Sequence, residues 1–287
     1  MNCIFFNVET SLDNINSKDE KLGKIPRYYE EEAIRLIKSI RKFLPNIPIY
    51  TIFFKPLERY KNINFFKENS IISIPKLDKI YTDQISNFYS GFWFIPLSGF
   101  LMENSRFEKT ENNRLYDING DKIIPEKYGL KLDTDMYMLR DPFKKVKIPN
   151  KPVVCYYDKD FGDDCKERLK YGIEEMSNTC FIYSDLEQNI YYRWYHFLID
   201  NDIYRDDLYE EVAFDIVFPI TKTEPIRNIQ IGENYLCWLD LNELERENIL
   251  FYHQRMDSFK IDPILEVKLK KIIKQGKMND SFKSNSK

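Results

Sequence analysis

The stretch KYGLKLDTDMYMLRDP, residues 127–142, runs a short apolar segment directly into Asp-Thr-Asp and then resumes with apolar residues. The segment 128–133 predicts a buried strand, and side chains alternate between the two faces of a strand. Asp133 and Asp135 are therefore expected on the same side, with Leu132 on the other. Two carboxylates that face the same way repel each other, so the pair is best accommodated at an exposed strand end or around a cation.

The length and charge of the chain limit the kind of protein it can be. With 287 residues, the chain is long enough for one large α/β domain with a substantial core. The formal net charge of -3 and the pI near 5.7 give no overall basic face, which disfavours a protein that binds nucleic-acid backbones. We expect one catalytic domain at 1–262, followed by a basic helix and a disordered tail at 263–287.

The cysteine pattern and the hydropathy predict a soluble, cytoplasmic protein. The five cysteines are an odd number, and none forms a Cys-x-x-Cys pair, so we expect reduced and mostly buried thiols. The N-terminal MNCIFFNVET lacks the basic start of a leader. No apolar run approaches the ~18 residues needed to span a membrane. At most, we expect a peripheral contact with a membrane.

Apolar patterning predicts strands that alternate with helices along the chain. Helix 28–44 has apolar residues near a 3.6 period, acids in its first turn and basic residues in its last turn. The other expected helices are 83–103, 186–199, 207–217 and one beginning near Pro263. The expected strands are 2–8, 47–54, 69–75, 128–133, 152–158, 178–185, 230–240 and 248–254. This order predicts an α/β fold with a mixed, mostly parallel sheet flanked by helices.

The acidic pair has a position suited to cation binding. In an α/β sheet, ligands bind where the carboxyl ends of strands meet the connecting loops, and Asp133 and Asp135 follow such a strand. Carboxylate oxygens are hard ligands suited to Mg²⁺ or Mn²⁺, which can bridge the phosphates of a substrate. Asp158 and Asp160 form a second Asp-x-Asp in YYDKDFGDD, but they continue into a charged run typical of a solvated loop. We therefore prefer the first pair.

The stretch GLKLDTDMYMLRDP resembles the strand, Asp-x-Asp and apolar signature of nucleotide-sugar glycosyltransferases with the GT-A (Rossmann-like) fold. The resemblance is strongest to the retaining families related to glycogenin and the bacterial galactosyltransferases, and further matches follow in family order. MSNTCFIYSD supplies Asn178 where the families begin an apolar strand, although Cys180 replaces their usual Gly. DDLYEEVAFDIV supplies an acid, Glu211, without the family Gln. FYHQRMDSFK supplies His253 and Lys260.

The resemblance implies a metal-dependent transferase that moves a sugar from a nucleotide-diphosphate donor, preferably a UDP-sugar, to a hydroxyl of a glycan, protein or lipid-linked acceptor. The implied cofactor is Mn²⁺ or Mg²⁺, bound by Asp133, Asp135 and His253. The implied catalytic residues are Asp133, Asp135 and Asn178. The implied donor-binding residues are Asn7, Val8, Thr10, Thr134 and Lys260.

Two alternatives to a retaining transferase stay open at the level of sequence. In the retaining reaction, the acceptor attacks from the face that the phosphate leaves, so that no dedicated protein base is needed. An inverting enzyme needs a carboxylate on the opposite face to remove the acceptor's proton, and Asp240 at the end of NYLCWLD is the candidate. The third interpretation is a degenerate scaffold or glycan-binding module. It is suggested by the missing family Gly and Gln and by the missing basic residue of helix 83–103.

Aromatic residues and the C-terminal tail have secondary interpretations. Trp194, Tyr195 and His196 share a predicted helix and are expected to pack in the core, and core packing is also favoured for Trp93. Residues 268–287 carry seven lysines and one Asp, which leaves six net positive charges. Such a segment can bind an anionic leaflet, but packing of its apolar stripe on the catalytic domain is favoured.

Overall fold

The computed structural model describes residues 1–9, 29–85, 94–107, 111–157, 176–201, 209–231, 234–238 and 249–253. Its strands are β1 (Asn2–Asn7), β2 (Ile49–Ile52), β3 (Ile71–Lys76), β4 (Arg114–Tyr116), β5 (Tyr128–Leu132), β6 (Met136–Met138), β7 (Val153–Tyr157), β8 (Ser177–Asp185), β9 (Glu224–Ile231), β10 (Asn234–Trp238) and β11 (Ile249–His253). Its helices are α1 (Tyr29–Phe43), α2 (Ile63–Asn69), α3 (Lys79–Ile85), α4 (Phe94–Phe107), α5 (Ile190–Asp200) and α6 (Tyr209–Val217).

The strands of the described residues form one sheet in the order β4-β3-β2-β1-β5-β8-β7-β9-β10-β11-β6. The run β3-β2-β1-β5 is parallel throughout, and so is the β7–β9 pair. The other ladders are antiparallel, which places β4 at one end and continues the sheet through β10 and β11 to β6 at the other. The predicted mixed α/β sheet flanked by helices is confirmed, with its parallel strands concentrated around β1.

Some expected elements differ in their bounds. The expected strand 230–240 is shared between β9 and β10, which pair as an antiparallel hairpin in which Ile231 lies opposite Asn234. The expected helix 83–103 corresponds to parts of α3 and α4, and Pro96 falls in the first turn of α4. A proline is tolerated there because the first-turn N–H groups have no partner within the helix.

Helix α1 is the expected amphipathic helix, with acids in its first turn and basic residues in its last. It also protects one edge of the sheet. The N–H of Met138 on β6 donates to Oγ of Ser39 at 2.9 Å. Because β6 is the last strand in the order, this contact occupies a backbone group that an exposed edge would present to other chains.

The alternation of β1 supplies two hydrophobic layers, one on each face of the sheet. Ile4 and Phe6 pack in the layer that contains α1. Cys3 and Phe5 pack in the layer that contains α4 and α5. The sheet is thus covered on both faces near its parallel centre, which explains why β1 reads as a continuous apolar run rather than an alternating one.

The aromatic residues of α5 follow the expected pattern in part. Trp194 and Tyr195 are fully buried, as predicted. His196 is only partly buried; its Nε2 lies 3.1 Å from the hydroxyl of Tyr81, and its ring stacks on Tyr192 at a centroid distance of 4.0 Å. His196 therefore belongs to a surface aromatic cluster between α3 and α5.

The described cysteines and helices are consistent with the expectations from hydropathy. Cys3, Cys155 and Cys180 are buried and reduced, as predicted for them. Among the described residues, no helix has the length and apolar character required to cross a bilayer.

Candidate metal centre and active site

The two acids lie on a tight turn at the carboxyl end of β5, not on an extended strand. β5 ends at Leu132, and the N–H of Met136 donates to the carbonyl of Asp133 at 3.3 Å. The two carboxylates do converge as expected, with one oxygen of each within 4.8 Å of the other, but the turn rather than strand alternation brings them together. The expected location at a strand end is correct. The turn also redirects the chain so that β6 joins the far end of the sheet.

His253 completes a three-residue group with these acids. β11 runs antiparallel to β6, and the pairing of His253 with Met136 places the imidazole beside the turn. Its Nε2 lies 3.0 Å from Oδ1 of Asp135. One potential ligand atom from each of Asp133, Asp135 and His253 lies within 4.8 Å of the others. The fold thus brings His253 to two acids that precede it in the sequence by more than a hundred positions.

The chemistry of this group fits a divalent cation. Two carboxylates and one imidazole offer hard oxygens and a borderline nitrogen, which suits Mn²⁺ and related divalent ions. Asp135 is only 4% exposed, whereas 25% of the side chain of Asp133 is exposed. A cation can therefore reach the group from solvent along Asp133.

Lys131 is a neighbour of the acids that the sequence analysis missed. It lies on β5, two residues before Asp133, and it is 1% exposed. Its Nζ forms a short ion pair with Oδ1 of Asp133 and donates to the carbonyl of Thr179 at 2.7 Å. The sequence does hint at this contact. Lys131 is the single charged residue of the apolar run YGLKL, and in a predicted strand 128–133 it would lie on the same face as Asp133, two positions later.

A bulge in β8 supplies the partners on the other side of the site. Val154 of β7 pairs with Ile182, but the next residue, Cys155, pairs with Asn178, so residues 179–181 of β8 have no counterpart on β7. A bulge removes backbone groups from the ladder, and buried backbone groups need other partners. The N–H of Thr179 donates to Oε1 of Glu211 at 3.2 Å.

The bulge also connects directly to the acidic turn. The N–H of Asp133 donates to the carbonyl of Cys180 at 3.0 Å. The N–H of Cys180 donates to Oδ1 of Asn178 at 3.0 Å. Among the described residues, positive φ outside glycine occurs at Asn113 and Asn189, so the backbone of Cys180 does not need the conformational freedom of glycine. The Cys at this position is compatible with the fold.

Helix α6 anchors the start of β8 with two acids. Glu211 bonds to Thr179, and both carboxylate oxygens of Asp215 accept from the N–H of Ser177 at 3.1 and 3.2 Å. The acid that the sequence matches at Glu211 thus contacts the backbone next to Asn178. The role of Asp215 was not predicted, because nothing local in DDLYEEVAFDIV distinguishes it from the other acids.

Arg35 of α1 fixes the other side of the turn, and it too was missed. Its Nη2 donates to the backbone carbonyl of Asp135 at 3.1 Å. Burial lowers the pKa of Arg35, and the nearby carboxylates of Glu32 and Asp135 oppose that shift. In the sequence, Arg35 is one of several basic residues on an amphipathic helix, so only the tertiary structure reveals this contact.

The expected donor-binding residues are placed as follows. Asn7 ends β1 and Thr134 lies within the acidic turn; both are partly buried. Val8 is 2% exposed; its N–H donates to the carbonyl of Ile52 at 2.9 Å, and its carbonyl accepts from the hydroxyl of Tyr60 at 3.0 Å. The backbone of Val8 is therefore already engaged within the protein.

Several predictions fall outside the described residues. They concern Thr10, Trp93, Asp158, Asp160, Asp240, Lys260 and the segment 263–287.

Comparison with known proteins adds similarities of structure. No protein-family model and no curated protein matches the chain. The galactosyltransferase LgtC, solved with donor and acceptor sugar analogues, is similar over 78% of this chain and 73% of its own, with 9% identity and a TM-score of 0.46. Mouse xyloside xylosyltransferase 1 is similar over 76% of this chain and 83% of its own, with 10% identity and a TM-score of 0.42.

The glycosyltransferase GlyE of Streptococcus pneumoniae is similar over 78% of this chain, with 13% identity and a TM-score of 0.40. Here the chain spans only 44% of the length of its neighbour. These neighbours are glycosyltransferases, the class whose signature the acidic turn resembles. Because these identities and TM-scores are low, the chemistry of the site is argued only from the residues of this chain.

Proposed function

We infer that the protein is a metal-dependent glycosyltransferase that moves a sugar from a nucleotide-diphosphate donor to a hydroxyl acceptor. The observation that carries this proposal is the convergence of Asp133, Asp135 and His253 within 4.8 Å at the carboxyl end of a central strand. Ligands of α/β sheets bind at that edge. Two acids and one histidine gathered there favour a cation-dependent site over a solvated acidic loop.

Asp133, Asp135 and His253 are the residues that would hold Mn²⁺ or Mg²⁺. When bound, the cation supplies positive charge to the diphosphate leaving group as the glycosidic bond breaks. The contribution of the chain is then mainly to position the reactants. Arg35 and Lys131 support this role by fixing the turn from both sides through Asp135 and Asp133.

We place the donor, preferably a UDP-sugar, between the acidic turn and the end of β1. Asn7, Val8, Thr10, Thr134 and Lys260 are the proposed donor contacts. The backbone N–H and carbonyl of Val8 already form hydrogen bonds within the protein. We therefore propose that Val8 contacts the donor by packing rather than by hydrogen bonding. Asn178 is the proposed catalytic polar group. Its Oδ1 is bonded to Cys180, and its Nδ2 is buried with no hydrogen-bond partner among the described residues, which leaves a donor for a substrate oxygen.

The order of Asp133, Asn178 and His253 resembles that of the retaining families, so we propose a retaining reaction, in which the leaving phosphate takes the proton of the acceptor. The buried thiols Cys3, Cys155 and Cys180 suit a reducing compartment, so we propose cytoplasmic turnover. The catalytic domain is proposed to cover 1–262 and to be followed by a basic segment at 263–287. The proposed acceptor is a hydroxyl of a glycan, protein or lipid-linked molecule, and the charge of the basic segment would suit a lipid-linked acceptor at an anionic leaflet.

The test is turnover of the full chain with a panel of UDP-, GDP- and CMP-sugars, with Mn²⁺ or Mg²⁺ and with a chelator. Release of nucleotide should require the cation. Asp135→Asn should reduce that activity on the order of 100-fold or more, because it removes an anionic ligand. Asp121→Asn is the matched control, since Asp121 lies in an exposed turn. Mn²⁺ binding without any turnover on the panel would favour the non-catalytic scaffold instead.

A further inference from the structure

A buried ammonium group lies beside the proposed cation site. Lys131 is 1% exposed in the middle of the sheet, where β5 is flanked by β1 and β8. Burying a charge is costly unless it is paired. Lys131 satisfies this requirement through the carboxylate of Asp133 and the carbonyl of Thr179.

The position of Lys131 is fixed by the fold rather than by the acid alone. Thr179 lies in the bulge of β8, and its carbonyl has left the ladder with β7. The N–H of the same residue is held by Glu211. Because α6 holds the N–H of Thr179, the carbonyl of this residue is a fixed second partner for the ammonium of Lys131. The ammonium cannot leave the site without stranding that buried carbonyl.

This arrangement compensates the charge of the acids before any cation binds. Asp133 is paired with the ammonium of Lys131. Arg35 adds a further positive group at the backbone of Asp135. A divalent cation that approaches the turn therefore meets two carboxylates whose charge is partly neutralised, and it is repelled by an ammonium that cannot move away.

We propose that Lys131 is a fixed internal counter-charge that weakens the binding of a free divalent cation at Asp133, Asp135 and His253. Tight binding then requires an anionic diphosphate that arrives with the cation and supplies the missing negative charge and oxygen ligands. Lys131 acts as a positioning residue through Asp133, which can keep Oδ1 on the lysine and offer its other oxygen. This inference rests on the proposed cation site and adds an order of binding to it.

The test compares two titrations of the full-length protein, one with Mn²⁺ alone and one with a preformed Mn²⁺–pyrophosphate complex. In the first titration, the signal of free Mn²⁺ in electron paramagnetic resonance measures how much of the ion is bound. Lys131→Met should bind Mn²⁺ alone roughly tenfold or more tightly than the wild type. The preference of the wild type for the pyrophosphate complex should shrink in the variant. Lys127→Met is the control: it removes the same charge from the opposite end of β5, where Lys127 pairs with Glu187 at 2.8 Å, and should leave both affinities unchanged.

Mn²⁺ affinity in Lys131→Met that is equal to or weaker than that of the wild type overturns the inference. If this variant does not fold, Lys131→Gln keeps a donor for Thr179 without the charge, and the same outcomes apply to it. In the wild type, Mn²⁺ alone that binds as tightly as its pyrophosphate complex also overturns the inference. If neither the wild type nor any variant binds Mn²⁺, with or without pyrophosphate, the cation site of the proposed function is refuted, and the proposed role of Lys131 is refuted with it.

Discussion

Gly99 lies within α4, where the ring of Tyr191 from α5 packs directly on the backbone. A Cβ added at Gly99 would lie 2.0 Å from Cδ1 and 2.1 Å from Cγ of that ring. Carbon atoms in packed interiors stay about 3.5–4.0 Å apart, so the ring has to retreat by roughly 1.5 Å. Retreat is difficult because Tyr191 is fully buried and its N–H donates to Glu103 of the same helix α4 at 3.1 Å.

Gly99→Ala should therefore lower the free energy of unfolding. Alanine gains about 1 kcal/mol over glycine in a helix interior. Overpacking costs about 1–3 kcal/mol and sometimes more, and an overlap of this depth belongs at the upper end. The net loss is about 2 kcal/mol, the difference of these two effects. For a chain of this size the midpoint of thermal unfolding falls by roughly 4–8 °C.

Urea denaturation followed by circular dichroism measures this loss. The substitution Tyr191→Leu removes the ring that a Cβ would meet, so the cost of Gly99→Ala should be smaller in that background. The two substitutions should show a coupling energy of the kind expected for residues in contact. If Gly99→Ala is as stable as the wild type or more stable, the close packing of α4 against α5 is refuted.

Three further outcomes are expected. His253→Ala should weaken Mn²⁺ binding by roughly tenfold or more because it deletes one of three donors, and an unchanged Kd would remove His253 from the ligand set. Burial raises the pKa of Glu103 to about 8 despite the N–H groups that its carboxylate accepts, so the folded state keeps a proton that the unfolded chain loses near its ordinary value of 4.5. The contribution of Glu103 to stability is thus present at low pH and is lost as the pH rises through about 8; denaturation across this window should show a decline that is flatter in Glu103→Gln. The anomeric signal in a proton NMR spectrum of the product should keep the α configuration of an α-linked donor, and a β product would make Asp240 the next residue to replace.

The parts of the site that the sequence predicts are those that follow strong apolar strands. Asp133 and Asp135 come after the buried β5, and such a strand identifies itself by composition, so that the location of the acids at its end is predictable. His253 ends β11, and the resemblance to the glycosyltransferase families, rather than composition, points to it as a ligand. Helix α1 is predictable for a similar reason, since its periodicity and end charges agree.

The parts that sequence patterning misses depend on register and on contacts distant in the chain. The turn that carries the acids looks like an extended segment, because its residues resume an apolar pattern immediately after Asp135. The bulge in β8 has no local signature, since the sequence of residues 177–185 reads as one uninterrupted strand. Arg35 reaches the turn from a helix a hundred residues away, and a pattern along the chain cannot contain such a contact.

The bulge in β8 explains why the acidic turn, Lys131 and helix α6 form one unit. A buried backbone group without a partner costs about 1–3 kcal/mol, and the bulge takes Thr179 and Cys180 out of the β7 ladder. Their new partners are Glu211 of α6, Lys131, and the N–H of Asp133. The position of the first acid is thus set by β8 as much as by its own strand. A change that straightens β8 would release Lys131 and shift Asp133 together, so the geometry of the proposed cation site is controlled by a strand that contributes no ligand to it.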